Sequence, residues 1–397
     1  MKGSTILTDR QTDRQTDRQT DRQTDRQTDR QTDRNYGIDL LRIVSMVMIV
    51  VLHVLGHGKL LESVETGSSK YYVLWFMETM AYCAVNCYGL ISGYVGYGKK
   101  FKLSNLFHIW MEVFFYSVGI AIVFKIFNSS IGLKKTIPSL FPVTLNAYWY
   151  FSAYFIMFFF TPFFQYLIER LSKRKATLLV GCTILLASVF QLFVKEDYFA
   201  LNAGYTALWL SALYIFGAYI KKYNVLFSVR KRILFLVYLI CVLISFGYKF
   251  ALEITGFKFP SVFSYISNSN LLIQYNSPTI LLCGIVLLFL FSKIRLNKVI
   301  VKLIALFAPA AFGVYLIHDN QMIEKYVMPQ ISALKDLNEF LLPCVIIGLV
   351  FAIWLICSLI DVARIRLFKL IKVKQFSVWL EKKARGCANA ILCKMKF

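Results

Sequence analysis

The sequence predicts an all-α fold: a polytopic transmembrane helical bundle of about ten spans, with both ends in the cytoplasm. Three observations carry this expectation. Of the 397 residues, 57% are apolar and only 17% charged, where a soluble domain carries about 25% charged residues. Apolar runs of about 18 to 24 residues recur between residues 38 and 360, each long enough to cross about 30 Å of hydrocarbon. Lysine and arginine gather in alternate loops, the arrangement that the positive-inside rule produces.

The spans fall near 38–57, 72–96, 104–127, 147–169, 176–194, 203–220, 233–252, 274–292, 303–320 and 340–360. One set of loops holds Lys99, Lys100 and Lys102; Arg170, Lys173, Arg174 and Lys175; Lys221, Lys222, Arg230, Lys231 and Arg232; and Lys293, Arg295, Lys298 and Lys302. Those stretches contain no acid, whereas the other loops mix signs, with Glu62, Glu65, Glu196, Asp197, Glu253, Glu324, Asp336 and Glu339. The first set, and with it both termini, is therefore assigned to the cytoplasm.

Three segments follow. Residues 1–35 contain six copies of Thr-Asp-Arg-Gln and a final Thr-Asp-Arg over 8–34. With no apolar residue this repeat cannot bury a core, so it is expected to be disordered. Its codons can be written as one tetranucleotide, ACAG, repeated three times per tetrapeptide. Such a tract slips during replication and shifts the reading frame, which points to phase variation of a bacterial surface structure. Residues 36–361 form the transmembrane domain. Residues 362–397 are a basic cytoplasmic tail with Leu367, Leu370, Ile371, Phe376 and Trp379 among the charges, the composition of a helix lying on anionic membrane lipids.

Composition also excludes. The net charge of +23 sits in short loops and is not interleaved with aromatics, so nucleic acid is not an expected partner. Nine cysteines and four histidines show no zinc-ligand spacing, and no metal site is expected. No cleavable signal peptide is expected, because the first apolar segment starts only near Ile38 and is too long for one.

Ionisable groups in lipid are costly, so each is a candidate for function. The first span carries Asp39, Arg42, His53 and His57 within an arc of about 60° at 100° per residue; Arg42 and His53 differ by about 20°. This face must point into the bundle. Arg42 also reads as an ordinary anchor near the inner end, but His53 is too deep to reach the interface. Glu78, on the second span, is expected at the depth of His53, where a carboxylate can fix the tautomer of an imidazole acting as a general base. The third span offers His108 and Glu112, spaced i, i+4, with His108 near the cytoplasmic end. The fourth opens with Trp149 and Tyr150, which suit an aromatic belt as well as a sugar platform; the ninth ends with Tyr315, His318, Asp319 and Asn320. By depth, Arg42, Lys99, Lys100, Lys102 and His108 suit phosphates on the cytoplasmic side. His53, Glu78, Trp149, Tyr150, Tyr315 and His318 suit an acceptor sugar in the outer half.

At these residues the chain resembles the membrane-bound acyltransferase family 3, the polytopic O-acyltransferases of surface polysaccharides. Arg42 and His53 reproduce its first-span Arg, ten residues, His. Ser92-Gly93-Tyr94 is similar to the close of its second span, Trp149-Tyr150 to its fourth, and Tyr315-Leu316-Ile317-His318 to the end of its ninth. The resemblance covers about residues 36 to 360. It implies a bacterial plasma-membrane enzyme that transfers an acyl group, acetyl above all, from acetyl-CoA or another acyl-CoA to a hydroxyl of a surface polysaccharide or lipid-linked glycan. The acyl-CoA is a co-substrate and no bound cofactor is implied. His53 would be the catalytic base or carry the acyl group transiently, supported by Glu78. Arg42, Lys99, Lys100, Lys102 and His108 would serve the donor; Ser92, Trp149, Tyr150, Tyr315 and His318 the acceptor or the scaffold. Lysines stand where the family has an arginine-rich entry to its third span. With no soluble acyltransferase domain expected after the last span, transfer finishes within the bundle or uses a separate partner. The rival reading, a transporter or flippase of a polysaccharide precursor, is disfavoured because no span is interrupted by Gly or Pro in matching halves.

Overall fold

The computed structural model describes residues 34–127, 132–225 and 228–394. All but the last residue of the Thr-Asp-Arg-Gln repeat lies outside them. Among the described residues every regular element is helical. The bundle is built from α1 (Tyr36–Leu55), α2 (Ser69–Ala81), α3 (Ala84–Gly96), α4 (Leu103–Phe127), α5 (Trp149–Arg170), α6 (Lys173–Ile184) and α7 (Ala207–Tyr223). It continues with α8 (Lys231–Thr255), α9 (Pro278–Ser292), α10 (Lys298–Phe307), α11 (Ala311–His318), α12 (Leu341–Leu370) and α13 (Val373–Lys394). Shorter helical turns join them.

Seven helical units among the described residues are long and apolar enough to cross a membrane: Tyr36–Ser63, Leu103–Phe127, Trp149–Arg170, Lys173–Leu192, Lys231–Thr255, Lys298–His318 and Leu341–Leu370. The other three expected spans are shorter helices. The stretch 72–96 is not one helix but α2 and α3. Its break has a local cause that lacks both Gly and Pro: the Thr79 hydroxyl donates to the Trp75 carbonyl (2.7 Å), and the Tyr82 amide turns to Thr79 O at 3.4 Å. A threonine bonding back one turn bends a helix in this way.

The stretch 203–220 is α7, 17 residues long, and 274–292 is α9, 15 residues long. Polar caps start both: Thr206 accepts from the Trp209 amide, and Ser277 accepts from the Ile280 amide with Pro278 behind it. Irregular backbone before α9 is tolerated because the protein satisfies it. Asn86 donates to Tyr275 O (2.7 Å) and accepts from Trp209 Nε1 (3.0 Å), while Ser188 donates to Asn276 O (2.6 Å).

α3, α7 and α9 form the middle of the bundle, where α3 and α7 meet most extensively. Gly93 permits the contact, since a Cβ there would collide with the backbone carbonyl of Tyr214; Gly217 does the same against Leu90 O. Small residues that let backbones touch are the usual means of helix association in lipid. α1 lies against α3, α9, α11 and α12, so its polar face is enclosed.

The helix at the last expected span, α12, extends past 360, to Leu370. Its extra turns bring Asp361 and Arg364 into the bundle. Arg364 holds Asp361 through Nε (2.9 Å) and Nη2 (2.8 Å) and Glu112 of α4 through Nη2 (2.8 Å). Tyr116 donates to Asp361 (2.8 Å), and Gly313 leaves room for that carboxylate. A second buried cation, Lys249 of α8, bonds Glu253 (2.6 Å) and sits 3.7 Å from the Trp75 ring centroid, joining α8 to α2. The tail helix α13 packs along α4, and Glu381 accepts from the Ser104 amide at 3.0 Å.

Candidate active site

α1 carries the site along its length. Asn35 caps it, accepting from the Gly37 and Ile38 amides. Asp39 in the first turn bonds Arg42 Nη1 at 2.8 Å and Arg34 Nε at 2.6 Å, and Tyr88 of α3 donates to Arg42 O (2.9 Å). Three turns on, His53 ends the same face, with a side chain only 14% exposed.

There α11 delivers its C-terminal residues. His318 Nδ1 is 2.6 Å from the Val314 carbonyl, one turn back, and its Nε2 is 2.9 Å from His53 Nδ1. A carbonyl only accepts, so His318 Nδ1 carries the proton and the neutral ring has a lone pair at Nε2. His53 Nδ1 must then donate, which leaves the lone pair of a neutral His53 at Nε2. Asp319 Oδ1 lies 3.3 Å from His53 Nδ1, placed to stabilise the ring when it charges. The end of α11 is braced by Tyr148, the residue that caps α5: Asn320 donates to Tyr148 OH (2.8 Å), and Tyr148 donates to Leu316 O (2.9 Å).

His53 lines a cleft of about 30 Å³ whose other walls include Met46, Tyr88, Trp149, Tyr150 and Tyr315. That volume admits a water molecule or two, so a sugar ring enters only if these walls part. At the other side of His53, His57 stacks on it with ring centroids 4.5 Å apart. His57 borders a second, open cavity of about 510 Å³ lined also by Lys59, Glu62, Gln321, Glu324 and Lys325.

The remaining expected residues divide. Tyr150 and Tyr315 are ring neighbours at 6.2 Å, and Trp149 stacks on Tyr275 at 6.1 Å; all four line the cleft. Ser92 donates to Tyr88 O within its own helix (2.9 Å), a structural bond. Lys99, Lys100 and Lys102 are exposed at the entry to α4, where half-buried His108 packs edge-on against Phe368 at 6.0 Å.

Glu78 does not meet His53. No ion pair joins them among the described residues, and Glu78 Oε2, though buried, has no hydrogen-bond partner there. The kink after Thr79 sets α2 against α8, through Phe76 on Phe246 and Tyr238 OH on Met80 O. Asp319 takes the place expected of Glu78. Asp319 stood in the sequence beside His318, but only the packing of α11 on α1 identifies it as the partner. Asp361 and Arg364 were missed, although Glu112, which Arg364 holds, was a candidate. Their signal was an acid and a base at i, i+3 at the end of a long apolar run.

A bundle of long apolar helices with a largely enclosed histidine at an aromatic cleft defines the class: a multi-pass helical membrane protein. The sequence matches the family model for the acyltransferase domain over residues 35–360. The chain belongs to that family, the membrane-bound acyltransferase family 3, and is a multi-pass membrane acyltransferase. No curated protein and no solved structure matches it.

Proposed function

We propose that the protein transfers an acyl group, acetyl in the first instance, from a cytoplasmic acyl-CoA to a hydroxyl of a surface polysaccharide or lipid-linked glycan. The observation that supports this is the hydrogen-bond chain from Val314 O through His318 to His53, which leaves the lone pair of His53, a residue lining the cleft, at Nε2. A sugar hydroxyl is a poor nucleophile at neutral pH, and imidazole is the side chain whose pKa, about 6.5, suits its activation. In this reading His53 Nε2 takes the hydroxyl proton as the oxygen attacks the thioester carbon. The C–O bond forms, the C–S bond breaks, and the proton leaves with the CoA thiol. Asp319 stabilises the imidazolium and His318 fixes its tautomer, two duties that the aspartate of a Ser-His-Asp triad combines.

The donor is assigned to the end of α1 that carries Arg42, and the acceptor to the end that carries His53. Tyr150, Trp149 and Tyr315 would stack the sugar, and Arg42, Lys99, Lys100, Lys102 and His108 would meet the donor phosphates. The site residues lie in a bacterial plasma membrane with both termini inside. Glu78, away from His53, is assigned to the acceptor side and not to the base.

The test is acyl transfer from radiolabelled acetyl-CoA to membrane glycan by a His53→Ala protein. Loss of a general base typically costs about 10² to 10⁴ in rate. His53→Ala is expected to lower transfer by that factor while its abundance in the membrane stays normal; transfer near the wild-type rate by a well-expressed variant would overturn the assignment.

A further inference from the structure

We propose that His53, His57 and Asp319 form a site for a late first-row divalent cation, Zn²⁺ above all, whose occupancy switches the enzyme off. The site itself stands on geometry alone, whereas its effect rests on the reading of His53 as the base.

His53 and His57 are one helical turn apart, and their rings stack with 10° between planes. A single oxygen lies near both: Asp319 Oδ1 is 3.3 Å from His53 Nδ1 and 3.4 Å from His57 Nδ1. The three atoms lie within 4.8 Å of one another. Zinc bonds to imidazole and carboxylate are about 2.0 to 2.1 Å, and two ligands at a tetrahedral angle are then about 3.3 to 3.4 Å apart. Two of the three separations already have this value. The third closes by a tilt of the His57 ring, whose side chain is about one-third exposed. His57 Nδ1 is buried and has no hydrogen-bond partner among the described residues, so ligation would satisfy an atom that otherwise goes unmet. Two imidazoles and one carboxylate leave a fourth position for water, and the 510 Å³ cavity at His57 gives the ion its entry. The sequence alone shows only a histidine pair at i, i+4; the fold adds the third ligand from a residue 262 positions beyond His57.

The consequence follows from the imidazole ring. A cation on Nδ1 of His53 uses the lone pair there, so the ring proton resides on Nε2. Nε2 then donates and cannot take the proton of a hydroxyl. The same ion displaces the proton that His53 shares with His318. Binding is therefore incompatible with the base assigned above.

Purified protein in lipid nanodiscs, titrated with Zn²⁺ against a chromophoric chelator, tests the site. One Zn²⁺ per chain is expected, with affinity roughly tenfold or more weaker in both His57→Ala and Asp319→Asn. Co²⁺ is expected to give the intense visible bands of a tetrahedral ion in the wild type and to lose them in either variant. Wild-type affinity in His57→Ala, or no stoichiometric binding to the wild type, would overturn the site. Acyl transfer measured with Zn²⁺ and again with excess chelator, each protein against its own metal-free rate, tests the effect. Inhibition that the chelator reverses in the wild type and that is lost in His57→Ala supports the switch. Stoichiometric binding with undiminished transfer would overturn both the switch and His53 as the base, while leaving the metal site in place.

Discussion

His53 is defined less by its own position than by what touches it. His318 fixes which nitrogen carries the proton, and Asp319 is placed to balance the charge that forms. These are separable duties. Asp319→Asn keeps the shape and removes the charge, so transfer is expected to fall about tenfold or more, with kcat affected and the KM for acyl-CoA little changed. A pure KM effect, measured over a range of acyl-CoA at saturating glycan, would assign Asp319 to the substrate and not to the imidazole. The candidate residues of α1 and of the Tyr315–His318 segment were legible in the sequence, because ionisable and aromatic groups in apolar runs announce themselves. The pairing of Glu78 with His53 was read wrongly, since depth along a span gives no information about rotation around it.

Among the elements, α4 and α12 are joined by one guanidinium and two carboxylates in apolar surroundings. Such a group is demanding: removing one partner strands the others. Arg364→Met is expected to lower stability by about 3 to 5 kcal/mol, and adding Glu112→Gln and Asp361→Asn is expected to restore much of it. Thermal unfolding in detergent measures both; an unchanged midpoint in Arg364→Met would show that the cluster contributes nothing. The broken second span belongs to the same scale. Hydropathy reads 72–96 as one segment, because Thr79 and Tyr82 do not lower the local average. The break comes from one hydroxyl and one displaced amide bond, which only the folded backbone displays.

For the whole molecule, loop charge sets the arrangement expected in the membrane. Reporter fusions after Lys102, Lys175, Lys222 and Lys298 are expected to report cytoplasm, and fusions after Glu65, Lys135, Asp197 and Asp336 the opposite side. Two adjacent reversals would refute the ten-span arrangement and move the acceptor end of α1 to the wrong face. Expression is expected to vary through the repeat: sequenced clones of one culture should differ by whole ACAG units, with product lost in two frames of three. Synonymous codons that interrupt the tetranucleotide in the natural gene would leave the repeat as a linker alone.

The sequence by itself determined that the chain lives in lipid, that it is helical, that one face of the first helix is polar, and which family it resembles. These follow from composition, run length and spacing, which survive without knowing how helices turn toward one another. Tertiary structure alone decided that three apolar segments are short inner helices, that Asp319 and not Glu78 lies beside His53, and that Arg364 closes α12 on α4. Each of those depends on helix rotation and on contacts between residues hundreds of positions apart, and a hydropathy profile averages both away.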